Sequence, residues 1–204
     1  MGGYLVILDI GFDWGNVTKG AAADAAAPLD YVDISFRYTP RGYLFDSKGP
    51  MCFALQKDTF CYIFGFLNSR VAMMFLELLS PTLDFNQGPI RKLPFILNSQ
   101  KKHQIDSLVE TNIEISKVDW DSFETSWDFE KHPLLRNVST ISEAFTQWQA
   151  ECDDRFNQLK ANEEELNRIF IDIYGLQDEL TPEVEDKDVT VRKADLQRDI
   201  KSLL

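Results

Sequence analysis

Apolar residues recur at strand-like intervals near the start of this chain and at helical intervals from about residue 57 onward. Residues 4–10, YLVILDI, are a short apolar run of the kind that makes a buried strand. In 31–38, YVDISFRY, Val32, Ile34 and Phe36 alternate with Asp33, Ser35 and Arg37, which predicts a half-buried strand. TPRG, with Pro40 ahead of Gly42, predicts a turn, and YLFD and MCFALQ read as two further short strands parted by SKGP. The period then changes. Phe60, Ile63, Phe64 and Leu67, followed by Val71, Met74, Phe75, Leu78 and Leu79, have helical spacing interrupted by LNSR. Asn68 or Ser69 can cap a new helix by accepting a backbone N–H, so two short helices are expected. Ser80-Pro81 ends the second, because proline cannot continue the ladder and restrains its predecessor. Asn86-Gln87-Gly88 predicts a turn. IRKLPFI then predicts a short strand or extended segment, confined to an edge by Pro94.

Beyond residue 100 the helical period dominates. Ile105, Leu108, Val109, Asn112 and Ile113 share one face of an amphipathic helix over 100–117. DWDSFETSWDFEKHPLLRN reads as an irregular segment, ending at Pro133, that packs aromatics on a neighbour. A long helix is predicted from Ser139 or Thr140, with Glu143 completing a capping box on Thr140. Its apolar positions, Ile141, Phe145, Trp148, Cys152, Phe156, Leu159, Leu166, Phe170 and Ile173, lie close to a heptad seam in which Glu163 fills the one gap. Gly175 is its natural stop. At 1.5 Å per residue this is a rod of roughly 50 Å, and a single-seam rod must lie on another helix, for which 100–117 is the candidate. LTPEVEDKDVT predicts an acidic loop. VRKADLQRDIKSLL predicts a further helix that the chain end cuts short.

Composition adds a division of charge. The chain has 204 residues and a net charge of −12. Up to residue 103 there are ten Lys/Arg against nine Asp/Glu; after it there are eleven against 24. The acidity therefore belongs to the second half, and the expected organisation is a globular domain over 1–103 and a helical spacer over 104–204. The fold class expected is α/β in the loose sense, or α+β: a small globular domain followed by a coiled-coil-like helix pair. The alanine-rich stretch 19–30 reads as a linker or loop. An apolar content of 44% with 15 Phe is enough for a real core. No run of about 18 apolar residues predicts a membrane span. The start has no positive segment with a cleavage site. Three cysteines without C-x-x-C spacing predict reduced thiols, hence a cytoplasmic setting.

Catalytic patterns are missing. There is no phosphate-binding loop, no G-x-G-x-x-G, no G-x-S-x-G and no metal-ligand spacing around His103 or His132. Lone histidines in such positions read as surface residues. Asp153-Asp154 and Glu163-Glu164-Glu165 read as a solvated helix face. Arg37, Tyr38, Arg41, Lys48, Arg70, Asn86, Arg91 and Lys92 fall at strand ends and turns, where Arg, Lys and Tyr make base-edge and phosphate contacts. Ordinary solubilising charge is the competing reading.

The order LNSRVAMMFLELLSPTLDFNQGPIRKLPFI, then a helix starting KKHQIDSLVE, resembles the target-recognition domains of adenine-specific DNA methyltransferases and of type I restriction specificity subunits. There a globular domain ends in N-x-x-x-I-x-x-L-P, matched here by Asn86, Ile90, Leu93 and Pro94, and leads into a spacer helix. The segments from IDSLVETNIEISK to HPLL and from ELNRIFIDIYGLQDEL onward resemble the C-terminal region of the PglX-type methyltransferases of BREX phage defence and related type II modification methylases. Asp84 stands where that family's L-N-F-N pattern has its first Asn. The resemblance implies a parent enzyme that moves a methyl group from S-adenosylmethionine to adenine N6 on a flipped base. No Pro-Pro pair of the Asn-Pro-Pro-Tyr kind exists here, so the catalytic domain is expected upstream and this chain is expected to be the specificity part, without a cofactor of its own. Its implied partners are double-stranded DNA, the upstream methyltransferase domain and other defence-system subunits. The rival expectation is a protein–protein docking module built on the aromatic seam of the long helix.

Overall fold

The computed structural model describes residues 5–10, 34–39, 51–53, 57–79 and 87–201. Three short strands, β1 (Leu5–Ile10), β2 (Ile34–Thr39) and β3 (Met51–Phe53), form an antiparallel sheet in the order β2-β1-β3. Leu5 lies opposite Thr39 on one side and Phe53 on the other. Helices α1 (Phe60–Leu67), α2 (Arg70–Leu79), α3 (Gln87–Ile90), α4 (Lys102–Trp120), α5 (Ile141–Tyr174) and α6 (Leu196–Lys201) make up most of the rest. Helix thus outweighs strand, and the mixture expected from the sequence is unequal. The Ala-rich stretch, the TPRG turn and the YLFD strand lie outside the described residues.

The break between α1 and α2 has a clear cause. Ser69 is the N-cap of α2: its Oγ accepts the Ala72 N–H at 3.3 Å. Asn68 has a different task, accepting the Phe36 N–H of edge strand β2 at 3.0 Å and so joining sheet to helices. At α5, Thr140 Oγ1 accepts the Glu143 N–H at 3.2 Å, and Glu143 reaches back to the Ser139 N–H at 3.3 Å. The helix ends at Gly175, whose φ of 67° is the left-handed conformation glycine adopts freely.

Two expectations are corrected. Gln87 and Gly88 belong to the short helix α3 rather than to a turn, while Asn86 lies outside the described residues. Of the two readings of IRKLPFI, strand or extended segment, the strand fails: Ile90 ends α3, Arg91 and Lys92 form a turn, and 94–98 run with no ladder partner among the described residues.

Helix α4 is the partner of α5, and the pair is antiparallel. Gln104 donates to Glu165 at 3.1 Å, Asn162 donates to Asn112 at 2.8 Å, and Arg155 pairs with Asp119 at 3.7 Å. Asn162 is buried within the helix contact, where a polar group is tolerated only with a partner, so the asparagine pair fixes the register. The main core gathers Phe36, Tyr62, Phe66, Val71, Ile105, Val109 and Phe170, residues from both sides of position 103. Two smaller clusters lie around Trp148 and around Phe156, the latter closed by Val189 and Val191 from the acidic loop. The aromatic segment that begins at the end of α4 meets expectation in part: Phe123 packs edge-on against Trp148 at 6.4 Å, but Trp120, the last residue of α4, and Trp127 face solvent. His132 is buried, against expectation. Its Nδ1 accepts the Leu134 N–H at 3.2 Å, and burial holds its pKa below the usual value.

Gly65 sits in the middle of α1 against α4, where an added Cβ would lie 2.8 Å from Val109 Cγ2. Alanine in a helix interior normally gains about 1 kcal/mol over glycine. Here the clash is with a β-branched side chain in a packed core, where overpacking costs about 1–3 kcal/mol. Gly65→Ala is therefore expected to lower the urea midpoint, with a net loss of up to about 2 kcal/mol in equilibrium unfolding.

Candidate nucleic-acid interface

The eight residues expected at a DNA surface divide into three sets. Arg41, Lys48 and Asn86 lie outside the described residues. Arg37, Tyr38 and Arg70 are engaged within the fold. Arg37 projects from β2 and donates from Nη1 to Thr190 Oγ1 at 3.2 Å. Tyr38 is half-buried, its ring edge-on to Phe60 at 5.9 Å. Arg70 opens α2; its backbone N–H donates to Asn167 Oδ1 at 2.9 Å and its Nη2 to the Glu183 carbonyl at 2.9 Å. Asn167 also donates to the Pro182 carbonyl at 3.2 Å. The two arginines thus fasten the sheet and α2 to the acidic loop that follows α5.

Arg91 and Lys92 form the third set. Both are exposed in the turn after α3, with no ion-pair partner among the described residues. The chain beyond them is held by two tyrosines. Tyr174 of α5 donates to the Pro94 carbonyl at 2.5 Å and accepts the Ile96 N–H at 3.1 Å. Tyr62 of α1 donates to the Ile96 carbonyl and accepts the Asn98 N–H, both at 3.0 Å. Alternate residues of an extended chain point to the same side, so two hydroxyls in sequence do what a neighbouring strand would otherwise do. Burial raises the pKa of both phenols, so they stay protonated as donors through neutral pH. Asn98 then accepts the N–H groups of Gln100 and Lys101 at 3.0 and 3.2 Å, turning the chain into α4. Lys101 and His103 emerge exposed at that helix start. Sequence reasoning passed over both, although a signal was present: no Asp or Glu occurs from 85 to 105.

No protein-family model matches the chain. It is 56% identical over 177 residues, 84% of its length, to the adenine-specific methyltransferase PglX of Lacticaseibacillus casei (strain Zhang). It is 34% identical over 150 residues, 72% of its length, to the adenine-specific methyltransferase BrxX of Escherichia coli O9:H4 (strain HS). This chain is homologous to one region of the PglX-like methyltransferases. The match spans 15% of the first relative's length and 12% of the second's.

Within this PglX-like region, the acid triplet on α5 is not a uniformly solvated face. Glu164 accepts the Val184 N–H at 3.2 Å, and Glu165 pairs with Arg168. Glu163 fills the gap in the apolar seam. Burial pushes its carboxyl up to about 7; Arg37 opposes that rise, Asp188 and Glu164 add to it, and the Thr190 hydroxyl lowers it by hydrogen bonding. A raised carboxyl pKa means that the folded state holds the proton more tightly than the unfolded chain. Stability from this group is therefore present below the ordinary carboxyl range and is lost as pH rises through about 7. Glu163→Gln, which cannot ionise, is expected to gain on the parent as pH rises across that window, by roughly 2–3 kcal/mol at its upper end. Paired urea titrations at acidic and at mildly alkaline pH check this, and parallel curves at all pH values would contradict it. Tyr174→Phe removes a donor and an acceptor at once, and a loss of about 1–3 kcal/mol is expected in the same assay, with faster amide exchange at Ile96.

Proposed function

We propose that this chain is the DNA sequence-selecting part of a PglX-like adenine methyltransferase of a phage-defence or restriction–modification system, and that it carries no catalysis itself. The observation that carries the reading is its 56% identity to a region of an adenine-specific methyltransferase. In this reading the sheet, α1, α2 and α3 form the recognition domain. The α4–α5 pair is the coiled-coil-like spacer that holds it at a set distance from the rest of the enzyme. Arg91 and Lys92 meet DNA directly. Arg41, Lys48 and Asn86 contribute from the segments around the sheet and before α3. Arg37 and Arg70 reach DNA only by exchanging Thr190 and the Glu183 carbonyl for it.

S-adenosylmethionine, the methyl donor such a reaction needs, does not fit the described residues. Gly65 is closed by Val109, Gly88 lies within α3 and Gly175 ends α5, so they form no glycine-rich cradle after a strand. The donor would be held elsewhere in the full-length polypeptide. A docking reading has one observation in its favour. Trp120 and Trp127 are 58% and 90% exposed beside several carboxylates, although the seam of α5 itself is covered at Trp148, Phe156 and Phe170.

The test is a methylome comparison. Residues 31–97 in the full-length enzyme are replaced by those of a relative with a different target, and methylated positions are read by single-molecule sequencing. The methylated motif is expected to become the relative's. Retention of the original motif by an active chimera would leave these residues as scaffold and favour docking.

A further inference from the structure

We infer that residues 91–103 form a rail for the DNA phosphate backbone, on which Lys101 and His103 act together with Arg91 and Lys92, positioning the duplex without reading bases. The inference rests on the DNA reading above and adds two residues and a division of labour.

Charge comes first. A chain of net charge −12 repels a polyanion, so any contact with DNA must be made where cations stand clear of carboxylates. Arg37 and Arg70 do not qualify, being held by Thr190, Glu183 and the field of Glu163. Arg91, Lys92, Lys101 and His103 are exposed, and none forms an ion pair with a described residue. Lys102, in the middle of the run, is different because Asp106 neutralises it one helical turn on.

Rigidity comes second. Flexible basic tails bind DNA at the cost of ordering themselves, whereas this segment is already ordered by four tyrosine hydrogen bonds and the Asn98 turn. The backbone between the two pairs of basic residues is therefore already ordered before any ligand binds. Three of the four are Lys or Arg, in an exposed turn and at a helix start. Such groups match phosphate oxygens, which recur at every nucleotide, and carry no base information. Their contribution is expected to be independent of sequence and steeply dependent on salt.

The experiment uses the 204-residue chain and fluorescently labelled short duplexes of two unrelated sequences, with anisotropy read over a low-salt series. Arg91→Ala/Lys92→Ala and Lys101→Ala/His103→Ala are each expected to weaken binding on both duplexes, the first about tenfold with a slope of log affinity against log salt reduced by about 2, the second several-fold with a slope reduced by about 1, since histidine is counted neutral in the chain's net charge. Lys102→Ala and Lys131→Ala, the second an exposed lysine away from the rail, are expected to change affinity less than about twofold. Arg91, Lys92, Lys101, His103 and Lys131 are exposed and Lys102 is half-buried at the surface, so circular dichroism of each variant is expected to match the parent. Three results would overturn the rail: Lys101→Ala/His103→Ala behaving like Lys131→Ala, a loss confined to one duplex, or displacement of DNA by polyglutamate at equal charge. If the parent chain binds neither duplex at the lowest salt, the DNA reading falls together with the rail. Binding that persists unchanged in the variants removes the rail alone.

Discussion

A helix of 34 residues with one apolar stripe cannot keep that stripe in water, and the arrangement of the other elements follows from covering it. Most of the stability of helix α5 comes from packing its apolar face rather than from propensity. Each Leu, Phe or Ile withdrawn from solvent contributes about 1.5–3 kcal/mol, and these residues run nearly from end to end. Different partners cover different stretches. Around Phe170 and Ile169 the cover is α1, α2 and α4; around Phe156 and Leu159 it is the loop with Val189 and Val191. Near Trp148 it is the segment after α4 and the start of α6, where Asp199 accepts the indole N–H at 3.1 Å. An aromatic strip that looks available for docking in the sequence is used inside the fold.

The seam is not uniform, and its exceptions are where the polar contacts collect. Asn162 and Asn167 are buried in it with amide partners, and Glu163 interrupts it with a carboxyl that burial keeps close to half-protonated near neutral pH. Arg37 and Arg70 converge on the same stretch from the sheet and from α2. Basic side chains of the near-neutral half thereby meet the acidic half across a short polar seam. The uneven charge distribution along the sequence serves, in part, to hold the two halves together.

What the sequence disclosed and what it concealed follow from the range of the forces involved. Periodicity and caps are local, so the two strands at 5–10 and 34–39, the break at Ser69, the Thr140 cap and the Gly175 stop were all legible. The pairing of α4 with α5 was legible too, because a lone stripe demands a mate. The roles of Tyr62 and Tyr174 were not, because each bonds to backbone far along the chain and any residue can supply those carbonyls. Val189 and Val191 were hidden in a run dominated by charge. His132 was misjudged because its burial comes from the folding back of the segment after α4, which no local pattern announces. For the candidate site, Arg91 and Lys92 could be named from turn chemistry. Lys101 and His103 needed knowledge of which nearby carboxylates were already occupied. That Arg37 and Arg70 have partners across the fold is likewise invisible without tertiary contacts.

The tyrosine-held segment has one more property, and it comes from the proline. Tyr174 takes the N–H of Ile96 but only the carbonyl of Pro94. If the chain slid two residues forward, Pro94 would face the same hydroxyl where an N–H is required, and proline has none. Sliding the other way would withdraw Asn98 from the start of α4, leaving the Lys101 N–H without its acceptor. A slip of one residue would turn every side chain to the opposite side. Pro94 and Asn98 therefore act as stops at the two ends of a short track. The spacing between the cations before it and those after it is fixed like two marks on a gauge, and insertion or deletion between 93 and 99 would change that length without touching a single charge.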